Sequence, residues 1–207
     1  MADNSQVIMI IRHAEKPISG HSHGVTPDGD HDHDSLTVSG WVRAGALIEL
    51  FASASRAPQV GLGSPDRIYA AGFRGDQSKR AVQTVSPLAD HLGIEVDTHY
   101  QQGDEAHLAK EIRELRCTTL VCWHHETIHK IVEHLGPVTP QPPQSWPDDR
   151  FDLVWTFTNT TNAADGWKFA QVPQLIMSED LPDPITDAPG RRAGRRRPTP
   201  SPSAPTP

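Results

Sequence analysis

Two short apolar runs in this chain end in the same way. Val7-Ile8-Met9-Ile10-Ile11 stops at Arg12-His13, and Thr118-Thr119-Leu120-Val121-Cys122-Trp123 stops at His124-His125. Runs of this length, bounded by polar residues and rich in β-branched side chains, read as strands buried on both faces. In an open parallel sheet, ligands sit outside the carboxyl ends of the strands. A third basic residue, Arg80, lies near the start of the helical pattern that follows another short strand. Imidazole and guanidinium groups gathered at one sheet edge suit a phosphoryl group. Arginine presents a planar fork of donors to phosphate oxygens, and a neutral histidine with a free ring nitrogen can attack phosphorus. Each residue also has a plainer reading: a strand end exposing two polar groups, or a solvated helix face beside Lys79.

The elements that must position these groups alternate along the chain. After Arg12-His13 comes a polar stretch, Ile18 to Ser35, with four glycine or proline residues and four histidines; loops this long are functional or disordered. From Thr37, the residues Trp41, Ala44, Leu47, Ile48 and Phe51 follow a one-faced helical stripe. Arg67-Ile68-Tyr69-Ala70-Ala71 reads as a second strand. Residues 76–92 are helical in pattern, with Pro87 expected to kink or restart the helix and Gly93 to stop it. Ile94-Glu95-Val96 reads as a third short strand, and Glu105–Leu115 as an amphipathic helix. Ile128, Ile131, Val132 and Leu135 form another helical stripe, closed by Gly136-Pro137. Phe151–Phe157 and Trp167–Val172 read as closing strands. Strands alternating with helices mean a layered α/β domain with a largely parallel sheet.

Composition narrows the function classes. The 207 residues carry a net charge of −7. Residues 186–207 hold five Arg and one Asp, so the remainder has 14 basic against 25 acidic residues. An acidic body argues against nucleic acid as partner, while leaving room for a few arginines focused in a pocket. Residues 1–185 are expected to form the folded domain and residues 186–207 a disordered Arg/Pro-rich tail. No apolar run approaches a membrane span, and the first residues lack a signal-peptide pattern. Cys117 and Cys122 fit no zinc or redox spacing. An odd separation puts them on opposite strand faces, so buried, unpaired thiols in a cytoplasmic protein are expected.

The strand-end residues Ile10-Ile11-Arg12-His13-Ala14-Glu15-Lys16-Pro17 resemble the Arg-His-Gly/Ala signature of the histidine phosphatase superfamily, the phosphoglycerate-mutase-like proteins. Leu36-Thr37 with Gly40 and Ala44 is similar to that family's first helix. Ser78-Lys79-Arg80-Ala81-Val82-Gln83-Thr84, followed by Pro87-Leu88-Ala89 and Leu92-Gly93, resembles its second-arginine helix. Leu120-Val121-Cys122-Trp123-His124 and Ile128 resemble its second-histidine strand and turn, and Gln171–Leu175 fits a closing strand. The resemblance implies a three-layer α/β sandwich with a mostly parallel central sheet. It implies a phosphomonoester hydrolase that works through a phosphohistidine on His13 without cofactor or metal, acting on a small phosphorylated substrate. Arg12, Arg80 and a second histidine would hold the phosphoryl oxygens. A gapless comparison places that histidine at His124; relatives with a Trp-x-His pattern would point to His125. The proton donor to the leaving alcohol has three candidates: Glu105, its neighbour Asp104, and Glu126. Glu105 is the choice adopted, acting first as acid and then as base. Glu15 either orients the first loop or is a solvated charge.

Other readings compete. His125-Glu126-Thr127-Ile128-His129 spells H-E-x-x-H, which on a helix would bind zinc with Glu126 as general base. The extended zincin pattern fails, since Val132 and Leu135 stand where Gly and His are wanted. His21, His23, His31 and His33, interleaved with Asp28, Asp30, Asp32 and Asp34, could chelate a divalent metal, although a solvated loop over the pocket mouth is the simpler role. A non-catalytic phosphate- or metal-binding protein would keep the fold without turnover. Substrate specificity is expected from the Ile18–Ser35 loop and from Phe73–Gln77.

Overall fold

The computed structural model describes residues 6–53, 62–73, 78–159 and 166–187. Its seven strands form one sheet: β1 (Gln6–Arg12), β2 (Arg67–Ala70), β3 (Val96–Asp97), β4 (Thr118–Trp123), β5 (Val138–Thr139), β6 (Leu153–Asn159) and β7 (Trp167–Pro173), in the spatial order β3-β2-β4-β1-β6-β7-β5. The pairs β1–β4, β2–β4, β2–β3 and β5–β7 are parallel; β1–β6 and β6–β7 are antiparallel. The mostly parallel sheet expected from the alternation is therefore present, with an antiparallel hairpin built onto it.

Among the described residues, four helices cover this sheet: α1 (Val38–Ala52), α2 (Arg80–Leu92), α3 (Glu105–Ile112) and α4 (Ile128–Glu133). The connections β1–α1–β2 and β2–α2–β3 step in one direction across the sheet, while β3–α3–β4 steps back. Right-handed crossovers then place α1 and α2 on one face and α3 on the other, and the packing agrees: α1 lies against α2, and α3 against α4. The chains leaving β1 and β4 thus depart to opposite faces, which opens a crevice at their adjacent carboxyl ends. Ile8, Met9, Ile10 and Ile11 are all buried, as are Leu120, Val121, Cys122 and Trp123. Burying each such side chain contributes about 1.5–3 kcal/mol, which anchors the two strand ends rigidly.

Several boundaries differ from the sequence reading. Ile94 does not enter β3, because its N–H bonds back to Ala89 O across the left-handed Gly93; pairing starts at Val96, opposite Ile68. Helix α3 ends at Ile112 and not at Leu115, with the Ile112 carbonyl accepting from the Gln6 side chain. Helix α2 runs through Pro87 as one element instead of restarting there; only the bond that the missing N–H would have made is given up. Strand β5 was not anticipated, since two residues between Pro137 and Pro140 carry no periodicity. Cys117 and Cys122 are both unpaired, and Cys117 is half-buried where burial was expected. Among the described residues, no helix is long and apolar enough to cross a membrane. Residues 188–207 of the expected tail and residues 74–77 of the expected specificity segment lie outside the described residues.

Candidate active site

Arg12 is the last residue of β1, in register with Trp123, the last of β4. His13 N–H continues the ladder to Trp123 O at 3.2 Å. The chain register therefore sets His13 beside the His124-His125 pair. Ring centroids are 6.3 Å apart for His13–His124 and 6.3 Å for His13–His125.

His13 is only 3% exposed, and its Nδ1 lies 2.7 Å from Ala14 O. A carbonyl can only accept, so Nδ1 carries the proton and Nε2 keeps its lone pair. Burial, reinforced by the positive charge of Arg12, holds the His13 pKa well below its ordinary value, so the ring is neutral at neutral pH. The loop behind it is fixed from two sides. Ala14 N–H donates to Thr84 Oγ1 of α2 at 2.8 Å, and Thr84 donates in turn to Arg80 O. Glu15 O accepts from Thr37 N and Thr37 Oγ1 at the start of α1. Gly40 makes that approach possible: a Cβ there would lie 2.7 Å from Glu15 O. Glu15 itself is paired with the buried Arg43, which also holds Asp180 and Gln174. It therefore orients the loop, as one of its two sequence readings has it.

Arg12 is fully buried. Its Nη1 donates to the carbonyls of Pro147 and Asp148, both at 2.9 Å, and of Arg150 at 3.2 Å, while its guanidinium carbon stacks 3.9 Å over Phe151. Nε and Nη2 are buried and make no hydrogen bond. One corner of the guanidinium is thus spent on the scaffold, and the Nε/Nη2 edge, the bidentate one, is left without a hydrogen bond, with Asp148 Oδ1 4.0 Å from Nη2. Burial lowers its pKa to about 10, which leaves it cationic at neutral pH. Arg80 opens α2 and is held by loop carbonyls: Nε to Ser35 at 3.2 Å and Nη2 to His33 at 2.6 Å.

The two candidate second histidines face different surroundings. His124 is half-buried and feels Arg80 and Glu105; burial is the main cause of its lowered pKa. His125 is buried on the Arg12 side, with Nε2 3.2 Å from Asp148 Oδ1. Its Nδ1 lies 3.0 Å from Glu126 Oε2 but out of hydrogen-bond alignment. Burial and Arg12 lower its pKa.

The three acid candidates separate clearly. Glu105, 3% exposed at the start of α3, accepts from Gly103 N–H at 3.1 Å on both oxygens and from Trp123 Nε1 at 3.2 Å. Burial raises its pKa, but the hydrogen bonds from Gly103, Thr127 and Trp123 outweigh that and hold it below the ordinary value. Asp104 turns its carboxylate back onto Gln101 N–H. Glu126 is exposed. His13, Arg12, Arg80, His124, His125 and Glu105 are thus the sequence-derived residues that gather around the β1–β4 crevice.

The competing zinc pattern does not take the geometry it needs. Residues 125–127 form a turn and α4 begins at Ile128, so His125 and His129 are not one helical turn apart. Among the described residues no group of three His, Cys, Asp or Glu side chains is arranged to hold a metal ion. The 18–35 loop, expected as a solvated cover, is docked. Asp32 pairs with Lys79 at 3.2 Å, Gln83 holds Leu36 N and Ser35 Oγ, and His23 stacks on His31 at 5.1 Å. Its cleft of ≈ 350 Å³ is lined by Pro17, Gly20, His23, His31 and Asp32, among others. Thr84, Trp123 and Phe151 escaped the sequence reading as site residues. Thr84 and Trp123 left a signal, since they lie within the Arg80 and second-histidine motifs; Phe151 left none.

No family model and no curated protein matches the chain. Among solved structures, it is similar to the protein histidine phosphatase SixA complexed with tungstate, at 17% identity over 82% of this chain and 97% of that one, with a TM-score of 0.54. A mycobacterial glucosyl-3-phosphoglycerate phosphatase aligns at 14% identity over 82% and 98%, TM-score 0.46. The ecdysone phosphate phosphatase of Bombix mori aligns at 12% over 90% and 97%, TM-score 0.46. The likeness to the first of these is one of fold.

Proposed function

This chain has the fold of the histidine phosphatase superfamily, and from that premise we propose that it is a phosphatase that hydrolyses a small phosphomonoester through a phosphohistidine on His13. The observation that carries the reading is the pairing of a neutral, buried His13, its Nε2 lone pair free, with the open Nε/Nη2 edge of Arg12 one residue away.

In the proposed cycle, Arg12, Arg80 and His124 bind the phosphoryl oxygens and stabilise charge on them as the transition state forms. His13 Nε2 attacks phosphorus; the N–P bond forms as the ester P–O bond breaks, and the ester oxygen leaves with a proton from Glu105. Glu105 is ionised in the free protein, and the negative charge of a bound phosphoryl group raises its affinity for the proton it must carry. As carboxylate it then accepts a proton from water, whose oxygen attacks the phosphohistidine and releases inorganic phosphate. Burial and the donors Gly103 and Trp123 keep Glu105 in place for both halves. His124 is preferred over His125 as the phosphoryl ligand because it feels Arg80 and Glu105, whereas His125 lies on the Asp148 side of Arg12. Residence in the cytoplasm belongs to the same proposal, supported by two unpaired cysteines.

The test is hydrolysis of p-nitrophenyl phosphate in excess EDTA by the parent and by His13→Ala. Activity in the parent that disappears in the variant is expected. Activity that survives His13→Ala overturns the phosphohistidine route. No activity in either, on alkyl as well as aryl phosphates, favours a binding protein that keeps the fold without turnover.

A further inference from the structure

Asp148 has a position that the proposed cycle does not use. Its Oδ1 lies 2.7 Å from Lys16 Nζ, 3.2 Å from His125 Nε2 and 4.0 Å from Arg12 Nη2. Lys16, on the loop after β1, and His125, in the turn after β4, converge on one carboxylate oxygen, and Arg12 Nη2 lies just beyond hydrogen-bond reach of it. His125 is set in the fold at 7% exposure, while the side chains of Lys16 and Asp148 are 30% and 72% exposed. Two donors closing on an exposed carboxylate form an anion site with an internal occupant. That occupant leaves Arg12 Nε and Nη2 without a hydrogen bond, so the edge that takes the phosphoryl group stays free beside it.

Resting on the phosphatase reading above, we infer that Lys16 and His125 form a second anion subsite beside the phosphoryl pocket, filled by Asp148 in the free protein, and that the substrate is a phosphomonoester carrying a further anionic group that displaces Asp148. The 6.3 Å between the His13 and His125 rings is a span that a short chain of a few atoms bridges. A substrate without the second anion leaves Asp148 in place and gains nothing from the subsite, whereas one that carries it must displace Asp148, a cost that Asp148→Asn removes for that ligand alone.

The experiment titrates the full chain calorimetrically with 4-phosphonobutanoate and with butylphosphonate, whose P–C bonds do not hydrolyse, so binding is read without turnover. The two-anion probe is expected to bind roughly tenfold tighter, the scale of one charge-assisted contact. In Lys16→Met that advantage shrinks to about twofold or less, and in Asp148→Asn it grows. Lys16 and Asp148 both reach solvent, so neither variant removes a core contact. Propane-1,3-diylbisphosphonate separates the sources: a gain with it alone assigns the second group as phosphate, and a gain with 4-phosphonobutanoate alone as carboxylate. Equal affinities in the parent, no measurable binding of any of the three probes, or an advantage unchanged in Lys16→Met overturns the subsite. Asp148→Asn tightening all three probes alike also overturns it, since Asp148 would then sit in the phosphoryl pocket itself. Selective binding without hydrolysis of p-nitrophenyl phosphate removes the phosphatase and leaves the subsite; hydrolysis without selectivity does the reverse.

Discussion

Glu105→Gln separates acid catalysis from mere structural support at α3. In the parent, Gly103 N–H lies 3.1 Å from both carboxylate oxygens, while Trp123 Nε1 donates to Oε1 alone at 3.2 Å. A glutamine amide with its oxygen at the Oε1 position keeps the Trp123 bond and half of the Gly103 contact. The loss of stability is then near the low end for an impaired buried hydrogen bond, about 1 kcal/mol, and the variant stays folded. The chemical effect is much larger. Removing a general acid costs about 10²–10⁴-fold in rate, equivalent to ~2.7–5.4 kcal/mol of barrier. That loss depends on the leaving group. An alkoxide must be protonated as it departs, whereas p-nitrophenolate leaves readily without help. The assay compares kcat/KM for butyl phosphate and p-nitrophenyl phosphate, a ratio that reports the phosphorylation half-reaction and not the later hydrolysis. Glu105→Gln is expected to lose about 10²–10⁴-fold on the butyl ester and far less on the nitrophenyl ester. Equal losses on both esters, or an undiminished rate on the butyl ester, would refute the assignment of Glu105 as proton donor.

Three further outcomes follow from the same geometry. Arg12→Lys removes the open bidentate edge and the Nη1 contacts to three carbonyls, so kcat/KM on p-nitrophenyl phosphate should fall about 10²–10³-fold and the urea midpoint should drop as well; a fall below roughly tenfold would contradict the role given to that edge. His124→Asn should lower kcat/KM more than His125→Asn does; the reverse order in steady-state assays would move the phosphoryl-binding role to His125. Stability should fall on mild acidification. His13, His124 and His125 all have folded-state pKa values below the unfolded value, chiefly through burial. Unfolded chains therefore take up protons first, and the stability these groups contribute is fully present above pH ~6.5 and lost progressively as pH falls from there through the lower folded-state values. Urea melts at pH 7.5 and pH 5.5 should show the drop, and His13→Asn should show a smaller one; an identical drop in the variant would refute burial of a neutral His13.

The sequence was most legible where one local pattern decided the outcome. β4 runs from Thr118 to Trp123 as read, because two β-branched threonines leading into four apolar residues, bounded by polar ones, admit little else. The stop at Gly93 was readable because a residue at φ 67° following a helix favours glycine. The same signals failed where neighbours intervened: Ile94 reads as strand but closes a helix, and Val138-Thr139 reads as loop but finds an edge beside β7. At the site, the strand ends announced Arg12, His13 and His124-His125, because polar residues directly after a buried run must emerge at a sheet edge. The choice of Glu105 over Asp104 and Glu126 rested on the family resemblance alone, since all three are acidic residues near a turn. Burial and the Gly103 and Trp123 donors distinguish them.

What the chain determined alone was therefore the alternation of strands and helices, the two strand ends that carry histidine, and the arginine that opens α2. These depend on hydrophobic runs and on residue type, both local. Tertiary structure decided which groups the site residues answer to. Arg12 Nη1 is anchored by carbonyls 135 to 138 residues away, His13 is braced through Ala14 by Thr84, and Asp148 is drawn onto Lys16 and His125. Such partners meet only when crossovers bring distant segments to the same edge. A buried donor then takes whatever acceptor lies within about 3 Å, a choice that no spacing along the chain records.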